Sequence, residues 1–174
     1  MILLQNGRVI DGTGSTARDA SVLVQNRKIK EVGMIEEEPD MDVVDCRGLT
    51  VCPGFVDVHS HGDLEALQHR TEKVRQGVTS EVVGNCGFSI FPTLPLEGLA
   101  PTFNIFSDRG DRERPDAGAY FAEVDAESTH TNIAALTGHS SLRVAVAGME
   151  SGKLTEAARR NAESILERCM EQGA

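Results

Sequence analysis

No apolar run in this chain approaches the roughly 20 residues that a membrane-spanning helix requires. The opening Met1-Ile2-Leu3-Leu4 is cut off at once by Gln5-Asn6-Gly7, which also removes the apolar core of a secretory leader. Basic residues are scarce, 17 against 27 acidic ones, and aromatics make up only 4% of the chain. A formal charge of -10 without a basic stripe and interleaved aromatics disfavours nucleic acid as a partner. Cys46, Cys52, Cys86 and Cys169 are too few for a disulfide scaffold and lack the short paired spacings of a structural zinc site. There is no internal repeat, and Ser140-Ser141 lacks the setting of a nucleophile elbow. These absences leave a cytoplasmic globular protein of 174 residues, 40% hydrophobic, long enough for one domain with a core and a small appendage.

The first part of the chain, residues 1–52, reads as a small β-module. Ile2 to Gln5 and Arg8 to Ile10 flank Asn6-Gly7, a hairpin signal, and Ser21 to Gln25 and Lys28 to Val32 flank Asn26-Arg27. Glu36 to Asp40 reads as a solvated acidic loop, with Val43-Val44 and Leu49 to Val51 as further strands around Arg47-Gly48.

From residue 53 to 174 strands alternate with helical segments. Phe55 to Val58 reads as a strand buried on both faces, followed by a helix within Leu64 to Gln76 that Gly77 closes. Val78 to Gly84 is the next strand. A Pro- and Asp-containing stretch, Pro92 to Asp116, precedes a helix over Gly118 to Asp125 and a strand at Ile133 to Leu136. In the last helix Leu154, Ala158, Ala162, Ile165, Leu166 and Cys169 share one face, with Thr155 as N-cap and Gly173 as terminator. The fold class is α/β: the β-module, part of a β-sandwich, then the first three or so β/α units of a TIM-like (β/α)8 barrel. A full barrel takes about 250 residues, and only about 120 follow the module here.

Three places at the strand ends can carry chemistry. His59 and His61 stand at i and i+2 on an extended segment, so both imidazoles face one side and can grip one divalent metal; the alternative is a pair of loop histidines. Asp57 either orients a ligating imidazole or caps a turn. Cys86 follows the second apolar strand and so emerges beside the histidines, as a thiolate ligand or as a small buried hydrophobe. His139 follows the third strand, where it lines a substrate pocket or makes a structural hydrogen bond. His69 and His130 read as surface residues, and Arg143 either meets a substrate carboxylate or is solvated beside its loop.

Val51-Cys52-Pro53-Gly54-Phe55-Val56-Asp57-Val58-His59-Ser60-His61-Gly62-Asp63 behind a β-module resembles the metal-dependent amidohydrolase superfamily. Arg75 to Gly87, ending in Gly84-Asn85-Cys86-Gly87, and Asn132 to Arg143 narrow the resemblance to the N-acyl-D-amino-acid deacylase (D-aminoacylase) group. The resemblance implies zinc, held by His59, His61 and a bridging Cys86, and hydrolysis of N-acyl-D-amino acids to a carboxylate and a D-amino acid. It also implies further histidine ligands, a general-base aspartate and a carboxylate-binding arginine at positions later than 174. The chain therefore reads as an N-terminal or truncated form, with self-association through an incomplete barrel. Hydrolysis of cyclic amides, as in hydantoinases or dihydropyrimidinases, and an inactive metal-binding fragment are the alternatives; the first leaves Gly84-Asn85-Cys86-Gly87 without an account.

Overall fold

A computed structural model describes residues 1–92 and 112–174, so most of the Pro92 to Asp116 stretch lies outside the described residues. The chain divides into two units, Met1–Pro53 and Gly54–Ala174.

The first unit is built around one strand. β1 (Ile2–Val9) pairs antiparallel with β2 (Arg18–Gln25), which pairs antiparallel with β3 (Lys28–Gly33). The other edge of β1 takes two short parallel strands in succession, β4 (Asp42–Asp45) along Ile2 to Gln5 and β5 (Thr50–Val51) along Arg8 and Val9. Val9, Ala20 and Val22 form its small core with Leu4, Val24 and Val51 against them.

The two turn signals have different outcomes. Asn26 and Arg27 both take positive φ (51° and 61°) and close the β2–β3 hairpin, as a two-residue turn between twisted strands requires. Asn6-Gly7 is not a hairpin: β1 runs straight through it as a bulge, with Asn6 at φ 61° and the register shifting between Leu4 and Gly7. The cause is packing. A Cβ on Gly7 would lie 2.6 Å from Cγ2 of Val51, so glycine lets the β5 edge close on β1.

In the second unit β6 (Phe55–Asp57), β7 (Val78–Val83) and β8 (Asn132–Ala135) form a parallel sheet in that order. The helices are α1 (Ala117–Glu127), α2 (His139–Ala147) and α3 (Glu156–Glu171). Val83, Ile90, Phe91, Ala117, Tyr120, Ala135 and Cys169 make the core. α3 behaves as its sequence indicates: Thr155 Oγ1 accepts the Ala158 N–H at 3.2 Å, and Cys169 on the apolar face is fully buried.

Three expectations need correction. The helix expected within Leu64 to Gln76 is two short 3-10 turns, Glu65–Gln68 and Val74–Gln76, because His69 at φ 54° cannot continue a helix; Gly77 does close the second. α2 was unforeseen: its N-cap is Gly138, which offers no side-chain cap to read. β6 is not buried on both faces. Among the described residues it is a sheet edge with β7 as its strand partner, and Phe55, Val56 and Val58 are 59%, 58% and 69% exposed. No helix among the described residues is long and apolar enough to cross a membrane.

Candidate metal centre

His59 and His61 lie just past the regular end of β6, yet the pleat continues through them. Ser60 N–H donates to Val82 O at 3.0 Å, carrying the parallel ladder one step further, and Asp57 Oδ1 accepts the His59 N–H at 3.2 Å. Asp57 therefore takes the turn-capping role, and its carboxyl is held below the usual range by the Lys73 ammonium and then by that amide. The alternation leaves both imidazoles on one side, ring centroids 5.6 Å apart and planes at 70°.

Cys86 reaches the pair from the turn after β7. Gly84 takes φ 78°, and a Cβ there would sit 2.1 Å from Leu136 O, so glycine is required twice over. Cys86 itself is left-handed at φ 56°, a conformation few non-glycine residues adopt. The Asn85 amide nitrogen donates to Ser60 O at 3.2 Å and to Val82 O at 2.7 Å, tying the Cys86 turn to the histidine loop.

The result is a three-residue donor set. Ligand atoms of His59, His61 and Cys86 all lie within 4.8 Å of one another, and His59 Nε2 is 3.3 Å from Cys86 Sγ. Zinc bond lengths in a tetrahedral site hold a nitrogen and a sulfur about 3.5 Å apart, so this spacing fits. His61 Nδ1 is buried and has no hydrogen-bond partner among the described residues. A soft thiolate with two imidazoles is the donor chemistry that suits zinc.

The remaining sequence candidates fall elsewhere. His139 is the exposed first residue of α2. Arg143 donates to Glu150 O and Gly152 O and holds the loop after α2. Ser141 is structural: its Oγ accepts the Ser89 N–H and donates to Ser89 O, both at 2.9 Å. His69 meets Glu127 at 3.3 Å and packs edge-on to His130.

Beside the pair lies a cleft of about 440 Å³, bordered by His59, His61, Lys73, Glu81, His130 and Thr131 among others. Cys86 does not line it, so the donor set rather than the cleft defines the centre. Sequence reasoning missed Lys73, Glu81 and Thr131. Glu81 was visible as the one charged residue inside Val78 to Val83, and it is 4% exposed. Asp63 is also buried; desolvation pushes its carboxyl up to about 6, and its backbone carbonyl accepts the Tyr120 hydroxyl at 2.8 Å.

Residues 42–171 match the amidohydrolase family. The chain belongs to that family. This amidohydrolase chain is 35% identical over 176 residues to an N-acyl-D-glutamate deacylase of Alcaligenes xylosoxydans xylosoxydans, covering 99% of itself and 36% of that protein. Among solved structures it resembles the Bordetella bronchiseptica N-acyl-D-glutamate deacylase, complexed with zinc and a phosphonate mimic of the reaction's tetrahedral intermediate. There the identity is 34%, the TM-score 0.85, and the coverage 98% of this chain and 36% of that one. A D-aminoacylase structure concerned with a binuclear metal centre gives 32% identity and a TM-score of 0.88 over 99% and 37%. The amidohydrolase chain thus spans little more than a third of these relatives' length, and the expected α/β fold class is theirs.

Proposed function

We propose that this chain is the metal-gripping part of a zinc-dependent hydrolase of N-acyl-D-amino acids, with His59, His61 and Cys86 as zinc ligands. The observation that carries the reading is the convergence of two imidazoles and a thiol from separate loops within 4.8 Å. The overall change adds water across the amide C–N bond: the hydroxyl goes to the acyl carbon and the proton to nitrogen, leaving a carboxylate and a D-amino acid. Zinc, when bound, supplies Lewis-acid polarisation of the carbonyl and a lowered pKa for water at the site.

The chain's own residues do the holding. Asp57 and the Asn85 amide fix the two loops, and the Gly84 turn presents the thiol. Asp57 and Glu81 are both engaged by Lys73, so neither is a free proton acceptor. Four unpaired cysteines suit a reducing cytoplasmic setting. The exposed apolar edge of β6 supports self-association of this chain. The domain boundary at residues 52 and 53 is part of the same proposal, and so is a substrate-facing role for His139, which stands exposed at the start of α2 rather than in the cleft beside the pair.

Zinc content measured on wild type, Cys86→Ala and His59→Ala, together with assays on N-acetyl-D-amino acids, their L-isomers and a cyclic amide, tests it. The expected result is zinc in wild type, loss in both variants, and any turnover confined to the D-isomers. Equal zinc in all three proteins sinks the ligand assignment. Turnover of the cyclic amide alone moves the reading to a hydantoinase-like hydrolase.

A further inference from the structure

Ser60, between the two histidines, is 3% exposed, and its side chain enters a polar knot with the buried Glu81 and the half-buried Lys73. The Lys73 ammonium donates to Asp57 Oδ2 at 2.8 Å, to Ser60 Oγ at 2.6 Å and to Glu81 Oε2. An ammonium has three donors, so all are committed. Ser60 Oγ donates to Glu81 Oε2 at 2.8 Å and accepts from Lys73 and from the Gly62 N–H at 2.9 Å, which exhausts a hydroxyl. Glu81 Oε1 accepts the Thr131 hydroxyl at 2.9 Å, anchoring the knot to the segment that enters β8. The same knot reaches the backbone on either side of the pair, through Asp57 at the His59 amide and through Ser60 at the Gly62 amide.

We propose that Lys73 is a positioning residue for the metal centre, aiming His59 and His61 through Asp57 and Ser60. This rests on the reading of His59, His61 and Cys86 as the zinc site. Burial would lower the Lys73 pKa, but hydrogen bonds and charge from Asp57 and Glu81 outweigh it and raise the value. The ammonium is therefore a fixed cation in this role. A guanidinium could not replace it, because a planar fork cannot serve three acceptors disposed around one atom. Buried ion pairs can also be mere structure, and removal of one partner then hurts only because the other is stranded.

The test separates the two roles on the full chain with Lys73→Met, Ser60→Ala and the double variant Lys73→Met/Glu81→Gln. Three readouts are taken: thermal midpoint, the ring signals of His59 and His61 in histidine-labelled protein by NMR without metal, and zinc affinity by competition with a chromophoric chelator. Lys73→Met is expected to lower the midpoint and to split or broaden both ring signals. The double variant, in which the buried Glu81 is neutral and only the part-exposed Asp57 has lost its cation, regains most of the midpoint but neither the sharp ring signals nor the affinity, which stays lower by about 10-fold or more. Ser60→Ala, with the ion pairs intact, shows the same ring disorder. Sharp ring signals in the double variant and in Ser60→Ala overturn the proposal and leave the knot as a structural ion pair. If wild type binds no zinc, the zinc-site reading falls, while the metal-free ring signals still decide whether Lys73 positions the pair.

Discussion

In Met1–Pro53 the ion pairs lie at the surface, Arg18 with Asp11 and Arg47 with Asp45, and the backbone ladders around β1 carry the architecture. Gly54–Ala174 adds to its exposed pairs two with a buried member, Lys73 with the buried Glu81 and the buried Arg114 with Glu123. The first unit asks little of any polar side chain. The second places polar groups where burial makes their partners obligatory, and its donor set is held by them.

Matched substitutions break or sharpen this contrast. Gly84 and Gly48 share a left-handed φ, 78° and 76°, but a Cβ on Gly48 meets nothing within 4 Å whereas on Gly84 it meets Leu136 O. Gly48→Ala is expected to cost about 1 kcal/mol, and Gly84→Ala more than about 3 kcal/mol. Tyr120, the only tyrosine, reports urea unfolding of the second unit, and hydrogen exchange in β1 and β2 reports the first; equal losses would erase the distinction.

Arg114→Met, which leaves Glu123 to the exposed Arg112 at 3.6 Å, should cost about 2 kcal/mol by the same urea titration. Arg18→Met should leave β1 exchange unchanged. Tyr120→Phe removes the hydroxyl donated to Asp63 O and should cost about 1 kcal/mol, read by circular dichroism. The smallest effect belongs to Asp11. Its carboxyl is held below the usual range by the Thr13 hydroxyl and amide and by Arg18. A depressed carboxyl stabilises the fold above its unfolded pKa of about 3.9 and loses that contribution as pH falls through the folded value. Asp11→Asn should therefore flatten the acid limb of β1–β2 exchange slightly; a steeper limb would reverse the sign assigned to it.

Local signals in the sequence were readable where local chemistry decides the outcome. Asn26-Arg27 closes a hairpin, Thr155 caps α3, and the side of α3 bearing Cys169 packs inward, each within a few residues of its signal. Asn6-Gly7 misled because its outcome depends on Val51, 44 positions away by number, pressing on Gly7. The ligand candidates were legible because spacing and strand ends place His59, His61 and Cys86 together. The knot behind them was not, since Glu81 draws its partners from Ser60, Lys73 and Thr131, and no short window holds that pattern.

Asn85 has a calorimetric consequence. Its single amide nitrogen spans Ser60 O and Val82 O, so the loop bearing the imidazoles and the turn bearing the thiol share one fastening before any ion arrives. At the proposed site, ion uptake is therefore expected to bury little apolar surface, with a heat-capacity change close to zero and an enthalpy nearly independent of temperature. In a small metallo-domain that is unfolded without its ion, by contrast, binding and folding are one thermodynamic event.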